Sequence, residues 1–369
     1  MKRVARRMVQ AGALVAASTG VAHAQSSVTL YGLIDEAVRY TTHNATGVAG
    51  QSKSLVSLQE GAFNGPRWGL LGTEDLGSGM KAFFRLENGF NTNTGKFDQN
   101  GQEFGRQAYV GLSAPTWGEL RLGRQYGAMY NFMALVDPIY TGNIGDLFWQ
   151  DYLTGLRFDN TADYTNSYGP VHVDFQYSFG NQAGDAQAGR TMGGVVSYVM
   201  PWLTAGVSVQ ESYDATNHQS QVGLLGAKGT YGKFSLYAYY THSTKDAGFT
   251  VGTGGTTTPL ANTTMASNTT GAGRLDSMTQ LGASYRFTPA FTLIASWMLD
   301  YAHVGGNSGR LQTFYSTAIY QLSKTVDVYA EADYSRLSGL AKYDTNPLLA
   351  TFGGANTRLG VMGGLRVRF

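Results

Sequence analysis

The chain contains no cysteine and only 8 prolines in 369 residues. With no disulfide available, a chain of this size must be held by backbone pairing and burial. Charged residues are scarce at 14%, whereas glycine fills 49 positions, tyrosine 23, and aromatics reach 12%. That balance favours many short strands joined by tight turns over helices. Beyond residue 24 no apolar run approaches the roughly 18 residues that a membrane-spanning helix needs. Length alone is a weak guide to domain number, because all-β chains often run long as one unit.

Residues 1–24 differ from everything after them. Lys2, Arg3, Arg6 and Arg7 precede an apolar run over 11–17, and Ala22 and Ala24 are small residues at the −3 and −1 positions. This is the pattern of a secretory signal peptide cleaved after Ala24, leaving 25–369 as the folded unit. Removing four cations and no acid takes the formal charge from +2 to −2. The basic balance therefore belongs to the precursor and is no argument for nucleic acid. Export without a helical anchor leaves a soluble secreted β-protein or a membrane barrel.

The remainder alternates apolar and polar residues. Val171, Val173, Phe175, Tyr177 and Phe179 oppose His172, Asp174, Gln176 and Ser178. Val326, Val328, Ala330, Ala332 and Tyr334 oppose Asp327, Glu331 and Asp333, and Leu359, Val361, Leu365, Val367 and Phe369 oppose Arg358, Arg366 and Arg368. Short turns at 115–118, 168–170, 200–202, 231–233, 288–290 and 323–325 alternate with longer polar connections. The stretch 43–54 reads as a polar connection, and the Thr/Gly/Asn-rich part of 245–276 as a mobile external loop. Sixteen strands fit between these marks, with both chain ends on the short-turn side. A sandwich has no reason to segregate short turns from long loops over so many strands, whereas an antiparallel transmembrane β-barrel does. In such a barrel the apolar faces meet lipid and the polar faces line a wet lumen.

One stretch fits no strand pattern. Residues 123–157 carry Asp137, Asp146 and Asp151 among aromatics, with Arg124 and Arg157 near the ends. A connection of some thirty residues between regular strands is unusual enough to suggest function. Enzymatic readings find little support. No nucleophile elbow is present, no histidine pair has metal-helix spacing, and Gly252, Gly254 and Gly255 are not followed by a helix, so no hydrolase, cofactor, nucleotide or histidine-bound metal is expected, and a loop calcium site is left open.

Several motifs then carry a resemblance. Residues 66–77 (PRWGLLGTEDLG), 80–90 ending in LENGF, 106–112 (RQAYVGL), 118–125 (GELRLGRQ) and the terminus 363–369 resemble the general Gram-negative porins, in order and across the mature chain. The resemblance implies a sixteen-stranded barrel, a homotrimer in the outer membrane among lipid and lipopolysaccharide, and passive diffusion of ions and small hydrophilic solutes. It implies that the third long loop, within 123–157, folds inward as a constriction, and that Phe369 is the signal read by the barrel assembly machinery. Basic side chains on the wall then face acids on the loop. Arg67, Arg106 and Arg157 fit ladder positions, Arg39 and Arg85 are further candidates on polar strand faces, and Asp137 sits where the family has an acid. The family's Pro-Glu-Phe-Gly-Gly loop signature is absent, so Asp146 is taken as the second acid, with Asp151 behind it. Leu71 stands at a position that is often basic in relatives. Five arginines against two or three acids suggest anion preference. A substrate-specific channel, with Tyr237 and Tyr239 turned inward, is the alternative.

Overall fold

The computed structural model describes residues 27–142, 144–252, 259–342, 344 and 347–369. The expected leader, 1–24, lies outside them, as do Thr253, Gly254 and Gly255. One antiparallel sheet is built from β1 Ser27–Ala45, β2 Ser52–Glu60, β3 Arg67–Gly77, β4 Met80–Gly89, β5 Gln107–Ala114, β6 Gly118–Tyr126, β7 Arg157–Tyr168, β8 Val171–Ser178 and β9 Thr191–Met200. It continues through β10 Leu203–Tyr213, β11 Gln219–Tyr231, β12 Phe234–Lys245, β13 Arg274–Arg286, β14 Phe291–Val304, β15 Asn307–Gln321, β16 Val326–Gly339 and β17 Thr357–Arg368.

β17 pairs back onto β1, with Ile34 opposite Val367, so the sheet closes on itself. The lower half of β1 pairs with β3 and the upper half with β2, so those two segments are halves of one stave broken at residues 61–66. The seventeen segments therefore make a sixteen-stave barrel. A barrel of that number is wide enough to leave an aqueous channel. The polar connection expected over 43–54 is corrected: β1 continues to Ala45 and strand resumes at Ser52. Pattern missed β2 because it pairs with β1 alone, and Leu55, Val56 and Leu58 are all exposed, so neither face is marked by alternation.

Burial is inverted relative to a soluble sandwich. On β8, Phe175 is 53% exposed while Asp174 is 4% exposed. On β16, Asp327, Glu331 and Asp333 are buried while Ala330, Ala332 and Tyr334 are exposed. Apolar side chains thus form the outer surface and polar ones the inner, which is stable only when lipid surrounds the wall. No helix among the described residues is long and apolar enough to cross a membrane.

The segment after β6 leaves the wall and crosses the interior. Helix α1, Ala128–Val136, lies along β8–β12, where Gln176 Oε1 accepts the Ala128 N–H at 2.6 Å and so satisfies one of the helix's free N-terminal donors. Met129, Phe132, Met133 and Val136 pack with Val222, Leu224, Tyr239, Met278 and Met298 of the inner wall. Each such burial contributes about 1.5–3 kcal/mol. The chain then turns through Tyr140, Thr141, Leu147 and Phe148, all with positive φ, each costing on the order of 1–3 kcal/mol. The packed apolar face outweighs that strain. Helix α2, Trp149–Thr154, returns the chain to β7.

At its far point this segment touches the break in the second stave, where the Ile144 N–H donates to the Ala62 carbonyl at 3.2 Å. A Cβ on Gly142 would collide with the Phe63 carbonyl oxygen. Gly142→Val is therefore expected to detach the tip from the wall, seen in single-channel recording as larger, noisier current with unchanged barrel content by circular dichroism.

The mobile external loop expected within 245–276 also needs correction. Phe249, Leu260 and Met265 are buried against Phe158, and the Ala266 N–H donates to the Tyr152 carbonyl at 2.9 Å. The described parts of that loop fold over the inward segment, because long loops on a wide barrel can bury their apolar residues only there.

Candidate functional site

Between α2 and the wall formed by the broken stave and residues 98–106 lies a cavity of about 530 Å³. Arg106, Arg124, Arg157, Glu60, Asp98 and Asp151 line it. The apolar packing of α1 seals the opposite side, against β9–β16, so the opening is left on the β2–β7 side.

The centre of this wall is Tyr126, the last residue of β6. Its hydroxyl accepts Arg106 Nη2 at 2.6 Å and Arg157 Nη2 at 2.8 Å, and the Arg157 guanidinium lies 4.5 Å from its ring centroid. Arg106 Nε donates to Glu87 Oε1 at 2.8 Å, and the Tyr31 hydroxyl donates to the other oxygen at 2.7 Å. Arg67 stands in the same field, its Nε on the Gly65 carbonyl at 3.0 Å. Tyr126 stacks on Tyr130 of α1 with centroids 5.0 Å apart, which couples the arginine row to the inward segment. Three of the five expected wall arginines are thus brought together, and the tyrosine that gathers them was missed. Its only signal in sequence was its place at the end of a strand, between arginines.

The others lie elsewhere. Arg39 is buried against Asp333, Nη2 to Oδ2 at 2.6 Å, beside Arg358 on the β1–β16–β17 wall. Arg85 is on the wall near Tyr31, 5.7 Å from its ring centroid. Arg124 is tied to Asp159 at 2.6 Å and to the Asn262 carbonyl at 3.0 Å, an anchor for the covering loop.

The loop acids separate by role. Asp137 caps the turn after α1: Oδ1 accepts the Ile139 and Thr141 N–H groups, both at 2.9 Å, and Oδ2 accepts the Tyr239 hydroxyl at 3.3 Å. Asp146 accepts the Phe148 N–H at 3.0 Å and Gln150 Nε2 at 3.1 Å, holding the left-handed residues of the return. Neither contacts an arginine. Asp151 lines the cavity and has one oxygen without a partner. Burial pushes its carboxyl up to about 8, against the downward pull of Arg157; burial likewise raises Asp137 to about 6. Among the described residues no group of acids and histidines could hold a metal ion.

A wide barrel with a polar interior, narrowed by an internal segment, defines a diffusion channel. Comparison with known proteins gives the family: the Gram-negative porin profile matches residues 11–340, and the chain belongs to that family. It is 31% identical to an outer membrane porin protein of Bordetella pertussis, over 90% of this chain and 94% of that one. It is 33% identical to outer membrane porin protein 32 of Delftia acidovorans, over 54% of this chain and 58% of that one. Among solved structures, an anion-selective porin from Comamonas acidovorans superposes with a TM-score of 0.73 at 22% identity, covering 94% of this chain and all of that one. The protein is an outer-membrane porin, a water-filled channel for ions and small hydrophilic solutes, and its relatives are channels rather than enzymes.

Proposed function

We propose that residues 127–156, the part of 123–157 that lies outside β6 and β7, form the constriction of this porin and that it prefers anions. The observation that supports this is the gathering of Arg67, Arg106 and Arg157 around Tyr126, with Glu87, among the described residues, the one carboxylate hydrogen-bonded to the row. Across the cavity, Asp151 is held mostly protonated near neutrality by burial. Glu60 and Asp98 line the cavity too, and burial raises the Asp98 carboxyl. The field therefore points from the arginine row toward a weakly charged loop, and charges at a narrow point select by field as well as by size. The Comamonas porin is itself described as anion-selective.

The working unit is a homotrimer. Glu36 supports this: it stands on the outward face of β1 between Ile34 and Val38, opposite Glu60 and Leu365, with no hydrogen-bond partner for either oxygen. A partnerless carboxyl on the outer wall, its oxygens shielded by neighbouring side chains, is costly to set in lipid, so that face fits another copy of the chain. Phe369 ends the last strand with its backbone paired to Gly32, 58% exposed, where the assembly machinery can read it.

Reconstitution in a planar bilayer under a salt gradient tests the reading. A reversal potential of anion-selective sign and closure in three equal steps are expected; a cation-selective sign would refute the preference. Intact mass of the exported protein is expected to place its first residue at Gln25, and any other start relocates the leader boundary.

A further inference from the structure

The outer wall carries a depression that permeation does not use. On β8–β12, Phe175, Gly194, Val209, Gly223 and His242 are successive cross-strand partners in one row. Phe175 and Val209 stand out from the wall, 53% and 67% exposed; the Phe175 ring leans over Gly194, while Gly223, between Val209 and His242, leaves the strand surface bare. A Cβ on Gly223 would meet no atom within 4 Å, and its φ is not left-handed, so neither packing nor backbone demands glycine there. The result is an open groove of about 690 Å³, in which the row of Phe175, Val209 and His242 lies further from the loops than the row of Met192, Glu211 and Gln221. Glu211 is held in place by Gln219 Nε2 at 2.9 Å and Arg190 at 3.4 Å, and His242 Nδ1 lies 3.3 Å from Ser277 Oγ.

We propose that this groove seats one acyl chain of a lipid in the loop-side leaflet, with the lipid's polar part against Glu211, Gln221 and His242. The groove opens sideways from a wall whose neighbours, Val196, Val207 and Leu225, expose apolar surface to the bilayer. Toward mid-membrane the row of Val196, Val207 and Leu225 is wholly apolar, whereas the loop-side row carries Glu211 and Gln221, the same order of polarity as a lipid. It also lies half the circumference from Glu36, so lipid rather than a second copy covers it. That last step rests on the homotrimer reading above.

The test uses the full protein in phosphatidylethanolamine vesicles containing a phospholipid with a diazirine on its acyl chain. After irradiation, labelled residues are mapped by mass spectrometry. Labelling at Phe175, Met192 and Val209 is expected to exceed that at Leu281 and Leu293, which are also exposed on the outer wall, by about fivefold. Gly223→Trp fills the groove and is expected to remove that excess while leaving single-channel conductance unchanged; Gly223→Leu serves if the larger side chain impairs assembly. Even labelling over the wall, or an excess that survives both variants, overturns the proposal. Loss of trimers on native gels in the Gly223 variants would also overturn it, and would move the subunit contact to this face; a parent protein that is monomeric with groove labelling intact would count against the Glu36 reading alone.

Discussion

Replacing Arg67, Arg106 and Arg157 together by Gln, with Glu87→Gln in the same protein, is expected to remove the anion preference and reduce the anion-to-cation permeability ratio by about tenfold. The fourth change is needed because Glu87 makes a direct ion pair with Arg106, 2.8 Å long and nearly fully buried. Deleting the arginine alone would leave a buried carboxylate uncompensated, which is strongly destabilising. The net loss is two positive charges. At about 7 Å in water at about 0.1 M salt each unit charge changes an ion's energy by about 0.3 kcal/mol, with opposite signs for anion and cation, so two charges change their difference by about 1.2 kcal/mol, close to a factor of ten. Reversal potential under a salt gradient reads this directly. Arg39→Gln with Asp333→Asn is the control: that pair is closed on itself away from the cavity, so it is expected to leave the potential unchanged. A quadruple variant indistinguishable from the parent would remove the arginine row from the conduction path.

The second large effect is on pH. The Asp151 carboxyl is pushed up to about 8 by burial. Below that value it is neutral and the loop side of the cavity carries no charge at this position. Raising pH from 7 to 9 ionises it beside Arg157, and the anion preference is expected to fall by about threefold, the effect of one unit charge at similar range. Asp151→Asn should flatten the profile at the neutral-pH value. The stability sign follows from the same shift. A carboxyl raised in the folded state stabilises it fully below the unfolded value near 4, and that contribution is lost as pH rises through about 8. Asp137, raised to about 6, acts in the same direction over a lower range. The inward segment is therefore expected to hold tightest in acid and loosen in alkali, measurable as faster proteolysis within 138–148 at pH 9 than at pH 6. A selectivity that rises with pH would assign the titrating group elsewhere.

The sequence by itself determined the closed wall. The two-residue period of β8, β16 and β17, the regular short turns and the sixteen-strand count are local properties, because a side chain's face follows from its parity along a strand. Apolar parity with export and no spanning helix left lipid as the surroundings of the outer face. It also marked 123–157 as a segment that is not wall, of which 123–126 and 157 proved to be strand, while Arg67, Arg106 and Arg157 as wall cations were what the porin resemblance implied.

Only the tertiary structure decided which charges meet. Arg39 and Arg106 look alike in sequence, both on the polar parity or just before a strand, yet one closes on Asp333 and the other on Glu87 and Tyr126. Three aspartates sit within fifteen residues of one another, yet two cap their own turns and one lines the opening. The covering of this site by residues 259–266, and the groove at Gly223, were equally invisible. The caps made by Asp137 and Asp146 are local, but for the other contacts the partner lies tens to hundreds of residues away, and its distance is set by the curvature and stagger of the closed barrel, which no local pattern encodes.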